Sequence, residues 1–408
     1  MKIAQILKAN TVLGICIALI LYVANEIRIN IADSYMYSWS LTELLINYQG
    51  GFVRRGIFGE LVFNTSNPIY FATLLQKIAL LFVLIGVISI LCFESSNISR
   101  VLFAATLIFA PGGIHDMKGG GNFPGGQWEY LDRKEIWFYC ALVIFYLSVK
   151  FLSNRPALQT AIFTVVSILM ILHHEIFVFF SLILYTVLLI SKNVKLRSLE
   201  SLLAAFYYLF ICVTCYLVYT FHGTEEISDL IYASYMPKYA NVFSHPGAMD
   251  SIGWSIAQSH ELGLRIATDG SVLFYIYFAS ISILLLLLYT IVKFKKKTDL
   301  YLALLLNSGI LLSCLMLTYV FWDVGRLISI YTFITLISLN VLYGSLRKSE
   351  MSGQLRFQSK VEFSAESKTY LMLFFVIGYL IFVSLITRVP HCCPQPNEIP
   401  LRGFLGLM

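Results

Sequence analysis

Charge is what this sequence has least of. Only 13% of its 408 residues are Asp, Glu, Lys or Arg, about half the usual share in a soluble domain. That deficit excludes a soluble enzyme, a nucleic-acid binder and a disordered scaffold, all of which present charged surface to water or to a polyanion. Strand-length segments of alternating polarity are missing too, which excludes an outer-membrane barrel. The 25 glycines never fall into the phosphate-cradling G-x-x-x-x-G-K-[ST] spacing, and H-E-x-x-H is absent. Cysteine provides no disulfide framework: Cys16, Cys92, Cys140, Cys212, Cys215 and Cys314 lie in apolar runs, where the residue acts as a small hydrophobe. Cys392 and Cys393 are adjacent and remain unassigned.

Apolar length takes the place of charge. Hydrophobic residues make up 58% of the chain and the mean hydropathy is +0.77. Apolar runs cover 10–28, 70–93, 99–114, 136–152, 158–172, 176–191, 201–221, 271–292, 300–321, 327–345 and 369–387. Crossing a bilayer takes about 20 apolar residues as a helix, so the expected fold class is an all-α, polytopic membrane bundle with about eleven transmembrane helices. The first run lacks a small-residue cleavage pattern and reads as a retained anchor. The whole chain, 1–408, reads as one transmembrane domain, with 29–69 and 222–270 as outer loops that carry interfacial helices.

Orientation follows from the basic residues. Residues 158–191 hold one polar break, His173-His174-Glu175. As a hairpin of two short helices, this segment places Lys150 and Arg155 on the same side as Lys192, Lys195 and Arg197. That side also receives Lys293, Lys295, Lys296, Lys297, Arg347 and Lys348. The positive-inside rule then puts the N-terminus in the cytoplasm and the C-terminus outside, and makes the formal charge of +6 a membrane signal. All 7 histidines fall on the outer side. Candidate chemistry is therefore expected on the outer, non-cytoplasmic face of the membrane.

The outer segments hold four polar blocks. The first runs Asn47-Tyr48-Gln49-Gly50-Gly51-Phe52-Val53-Arg54-Arg55-Gly56, followed by Glu60. Its arginines either pair with Glu43, Glu60 or lipid phosphate, or clamp a diphosphate, because guanidinium forks match phosphate oxygens. The second is a Gly-rich stretch after His115 and Asp116, closing on Asp132-Arg133-Lys134-Glu135. It reads as a capped helix start with an internal ion pair, or as an acid and a base beside a sugar or phosphate head group. The third, His173-His174-Glu175, reads as structural pairing, as an acid–base or substrate contact, or as a metal site. Adjacent helical positions diverge by about 100°, which works against a shared ion. The fourth is Asp323-Val324-Gly325-Arg326, where the two charges either pair or offer an anion contact. Within 222–270, Tyr232, Tyr235 and Tyr239 at near-helical spacing suit a carbohydrate surface or an interfacial belt.

With Asp33 after the first run, the Gly-Gly-Phe-Val-Arg54-Arg55-Gly block, Asp132 to Glu135 and Asp323 to Arg326, the chain resembles bacterial multi-pass proteins of surface-polysaccharide clusters. These are O-antigen or capsule polymerases and, more distantly, GT-C glycosyltransferases. The resemblance implies an acidic residue of the first outer loop, here Asp33, as base or metal ligand, although Ser34 stands where those enzymes carry a second acid. It also implies Arg54, Arg55 and Arg326 as holders of a polyprenyl-diphosphate sugar.

The expected function is transfer or polymerisation of a glycan from a polyprenyl-(di)phosphate carrier. Asp33, Asp132, His174 and Glu175 are the catalytic candidates; Arg54, Arg55, Arg133, Lys134 and Arg326 are the substrate-binding ones. No cofactor is required, with a divalent metal as an open addition. Expected partners are the polyprenyl-linked glycan, membrane lipids and other polysaccharide-assembly proteins, and no nucleic acid. The alternatives are a flippase or transporter for a lipid-linked sugar and a non-catalytic assembly subunit.

Overall fold

The computed structural model describes residues 12–18, 38–94, 96–110, 134–192, 198–239, 247–254, 272–318 and 324–353, with single positions 194, 258 and 261. Every regular element among them is helical. The helices are α1 (Ser38–Leu44), α2 (Ile57–Phe63), α3 (Pro68–Phe93), α4 (Asn97–Phe109), α5 (Ile136–Phe151), α6 (Pro156–His173), α7 (Phe177–Ser191), α8 (Leu199–Thr220), α9 (Glu225–Tyr239), α10 (Val272–Lys293), α11 (Lys297–Thr318) and α12 (Val324–Gly353). A 3-10 turn spans Gly247–Ile252. Each apolar run from 70–93 to 327–345 becomes one of these helices. The run 10–28 is helical over 12–18, and 369–387 lies outside the described residues.

Local chemistry sets the helix starts. Pro68 and Pro156 occupy first-turn positions, where the missing N–H is no loss. Asn67 Oδ1 accepts from Tyr70 N at 3.2 Å, and Ser198 Oγ accepts from Ser201 N at 3.2 Å. Among the described residues, six helices are long and apolar enough to cross a membrane: α3, α6, α8, α11 and stretches of α10 and α12. Helices α4, α5 and α7 have 13, 16 and 15 residues. At about 1.5 Å per residue they fall short of the roughly 30 Å of hydrocarbon.

Helices α6 and α7 run antiparallel. Gln159 Oε1 accepts from Lys192 Nζ at 2.5 Å, and Thr160 Oγ1 meets Tyr185 Oη at 3.1 Å, so α6 and α7 form the expected hairpin. The break between them is His174, whose extended backbone (φ −159°, ψ 117°) stops α6. The bundle therefore has two ends. One gathers the chain around 45–67, 134–135, 174–176, 221–239 and 247–254. The other gathers 94, 96, 152–155, 192, 194, 198 and 294–296, tied by Ser191 Oγ to Ser345 Oγ at 3.0 Å and by Lys348 Nζ to the carbonyl of Lys150.

Helix α12 is the axis. Of its crossing stretch 89% is buried, against 28–44% for the other five. It packs on α4, α5, α7, α10 and α11. Its Ser329, Thr332, Thr335, Ser338 and Ser345 are buried, and small hydroxyl residues let helices approach closely without a water-driven hydrophobic force. The surrounding helices turn Leu81, Ile85, Phe206, Leu209, Leu284, Leu305, Leu312 and Met316 outward. Such a continuous apolar girdle is untenable in water and is the natural surface in lipid.

The first and the long loop fold together rather than separately. Leu41, Leu45, Ile46, Val53, Val62, Ile231, Tyr235, Met249 and Ile252 make a small second core that joins α1, α2, α9 and the 3-10 turn. Ala248 N donates to Thr42 Oγ1 at 2.9 Å, and Asn47 Nδ2 to Ser234 Oγ at 3.1 Å. Tyr235 is thus neither a sugar platform nor part of an interfacial belt, since it is 1% exposed inside this core. A Cβ on Gly59 would lie 1.8 Å from Ile46 O, so only glycine lets α2 sit on residues 45–46.

Candidate functional site

The first loop reaches the hairpin tip through its arginines. Arg54 N donates to Phe221 O at 2.9 Å and Arg55 N to Leu172 O at 3.0 Å, which pins the segment between the ends of α8 and α6. Arg55 adopts a left-handed backbone, φ 69°, the one non-glycine residue with positive φ among those described. A long side chain there carries strain of about 1–3 kcal/mol, which surrounding contacts must hold.

What holds it is Glu175. Arg55 Nε lies 3.0 Å from Glu175 Oε2 and 3.2 Å from Oε1, and its Nη2 also contacts Oε1. Arg54 Nη1 donates to the same Oε1 at 3.1 Å, and Arg54 Nη2 to the carbonyl of Ser251 at 3.3 Å. Two guanidinium groups therefore share one carboxylate. Among the described residues, the buried Arg54 Nε has no hydrogen-bond partner. The three side chains are 20%, 10% and 26% exposed, so the pair is reachable from outside. Burial opposes the Glu175 charge, but Arg55 and then Arg54 outweigh it and hold the carboxyl well below its usual range. Burial lowers Arg54 against the support of Glu175, yet a guanidinium stays charged in proteins.

Behind this mouth lies a sealed row of titratable groups. His174 Nδ1 is 3.5 Å from Glu175 Oε2, and its Nε2 is 3.9 Å from Glu135 Oε1. Burial first, then Arg55 and Lys134, push the imidazole down to about 3, so it is neutral at pH 7. Lys134 is fully buried, its Nζ 3.6 Å from Glu43 Oε1. Burial drives that ammonium down to about 7 despite Glu43. His173 turns the other way, its ring 4.2 Å from Phe58 and 6.4 Å from Trp137. The two histidines thus diverge as their adjacency requires.

The structure brings together five of the residues singled out in the sequence: Arg54, Arg55, His174, Glu175 and Lys134. The arginines pair with Glu175 and not with Glu43 or Glu60; the latter accepts from Tyr48 N at 2.9 Å. Lys134 lies beneath the mouth, fully enclosed, rather than at the surface. Glu135 precedes α5 without making a capping bond and faces His174 instead. Arg326 falls in the first turn of α12, and its side chain is outside the description. Asp33, Asp132 and Arg133 lie outside the described residues. No metal-holding group of three or more His, Cys, Asp or Glu occurs among those described.

Sequence reasoning underrated Glu43 and missed Glu94 altogether. Each is an acid within or beside an apolar run, and an ion in that setting demands a partner. Glu94 finds Lys293, buried at the opposite end of the bundle. No family model, no curated protein and no solved structure matches the chain.

Proposed function

We propose that this protein is an enzyme of the bacterial cytoplasmic membrane that transfers or polymerises a glycan from a polyprenyl-(di)phosphate carrier at the outer face. In this reading the chain spans the membrane eleven times, and the end that carries Arg54 and Arg55 faces outward. Lys150, Arg155, Lys192, the lysines at 293–297, Arg347 and Lys348 support that orientation, because they lie toward the opposite end.

One observation carries the reading: two guanidinium groups converge on one carboxylate at a partly open end of an apolar bundle. Paired forks recognise the oxygens of a phosphate or diphosphate, and cations there stabilise a phosphate that departs with growing negative charge. A lipid-linked donor brings its own leaving group, so no nucleotide site is needed. Glu175 serves as the counter-ion of the empty site. The role of base toward the accepting hydroxyl then falls to Asp33 or Asp132, the first by the resemblance above.

Purified protein supplied with a lipid-linked oligosaccharide tests this directly. New glycosidic bonds are expected. Movement of the lipid across a vesicle bilayer without new bonds would make the protein a flippase, and neither result would leave an assembly subunit.

A further inference from the structure

At the arginine end, charges of both signs face one another among the described residues. Glu43, Glu135 and Glu175 face Arg54, Arg55 and Lys134, with neutral imidazole between two of the acids. An anion that enters between the two guanidinium groups competes with Glu175 for them, and a carboxylate left there without a cationic partner is disfavoured. Guanidinium donors occupied by Glu175 must also be given up before they can serve phosphate oxygens. The carboxylate so displaced loses both its positive partners.

The surroundings of Glu175 are ready for that event. A neutral imidazole has one N–H, yet His174 stands between the carboxylates of Glu175 and Glu135, at 3.5 and 3.9 Å. The Nδ1 of His174 accepts from Ile176 N at 3.5 Å and faces Glu175, so a proton placed on that carboxyl has an acceptor within reach. Among the described residues, Glu175 is faced by Arg54 and Arg55 from the segment before α2, His174 on its own turn, and Lys134 and Glu135 ahead of α5. Glu43 of α1 stands behind Lys134, and His173 is turned away into Phe58 and Trp137.

We infer that phosphate or diphosphate binding at Arg54 and Arg55 displaces Glu175 and is coupled to uptake of one proton from solvent, held by Glu175 on the side of His174. The exchange is a protonation alone: the carboxylate becomes a carboxylic acid, and the two guanidinium groups pass to the incoming oxygens. This rests on the phosphate-binding part of the function proposed above and is independent of glycan transfer.

Calorimetric titration of the detergent-solubilised full chain with inorganic pyrophosphate, in buffers of different ionisation enthalpy, reads the protons exchanged. Near pH 7 the wild type should take up about one proton more than Glu175→Gln, because the probe's own ionisation cancels in that difference. Should the variant not fold, sulfate, which stays doubly ionised between pH 6 and 8, gives the same reading on wild type alone. Proton uptake makes the affinity for sulfate, or that for pyrophosphate relative to Glu175→Gln, fall as pH rises from 6 to 8, by up to about tenfold per unit for one proton.

Equal proton exchange in wild type and Glu175→Gln would overturn the inference. So would a sulfate affinity that rises with pH, a requirement for Mg2+ in place of the proton, or loss of the uptake in Lys134→Met with Glu175 intact. Failure of pyrophosphate to bind sinks both the inference and the phosphate reading. Proton-coupled binding without glycan transfer would remove only the transferase.

Discussion

Each end of the bundle carries an ion pair that joins distant parts of the chain, and the two are built to opposite ends. Opposite the arginines, Lys293 Nζ contacts Glu94 Oε1, lies 2.5 Å from Asn340 Oδ1 and 2.9 Å from Tyr289 Oη, and sits 4.6 Å from the centre of the Tyr343 ring. The Tyr289 hydroxyl closes the cluster at 3.0 Å from Glu94. The Lys293 and Glu94 side chains are 2% and 3% exposed, with three acceptors on the ammonium. At the arginine end the side chains are several times more exposed, one guanidinium nitrogen is unused and the backbone of Arg55 is strained. A saturated, closed pair ties helices together. An open one with strain and a spare donor is suited to exchanging its counter-ion.

Breaking the closed pair should have the largest effect on the fold. Glu94→Ala strands a buried ammonium, a loss of about 3–5 kcal/mol, and thermal unfolding in detergent should show a markedly lower midpoint. The doublet Glu94→Leu with Lys293→Met should recover most of it, since no charge is then left alone. An unchanged midpoint in Glu94→Ala would erase the distinction between the two ends. At the open end the expectation is reversed. Arg54→Ala and Arg55→Ala should each lower glycan transfer about 10²–10³-fold while protein levels in the membrane stay as in wild type. Wild-type glycan from both variants would remove the clamp.

The smallest expected effect sharpens the comparison by pH. Burial lowers Lys134 to about 7 in the folded protein, against about 10.4 in an unfolded chain. Between those values the unfolded chain holds the extra proton, so stability rises with pH at up to about 1.4 kcal/mol per unit. Denaturation of wild type between pH 7 and 9 should show that rise relative to Lys134→Met. Parallel curves would mean that Lys134 remains charged when buried.

Much of the fold was open to reading from local composition. The apolar runs, the proline starts at 68 and 156 and the polar break at 173–175 each predict a helix or its limit from neighbouring residues alone. The convergence of Arg54, Arg55, His174 and Glu175 was foreshadowed by their placement in loops of one side. Their partners were not. Glu43 sits within Leu41-Thr42-Glu43-Leu44-Leu45, where nothing nearby hints at Lys134, and the packing of Tyr235 into the second core follows only from α1 and the 3-10 turn folding onto α9.

The sequence by itself determined that the described chain is helical and apolar enough to enter a membrane. A helix closes its backbone hydrogen bonds within its own segment, so composition decides it. Tertiary structure alone decided which acid meets which base. Arg54 and Glu175 are 121 residues apart, and Glu94 and Lys293 are 199 apart. The energy of such a pair depends on distance and burial in space, which spacing along the chain does not encode.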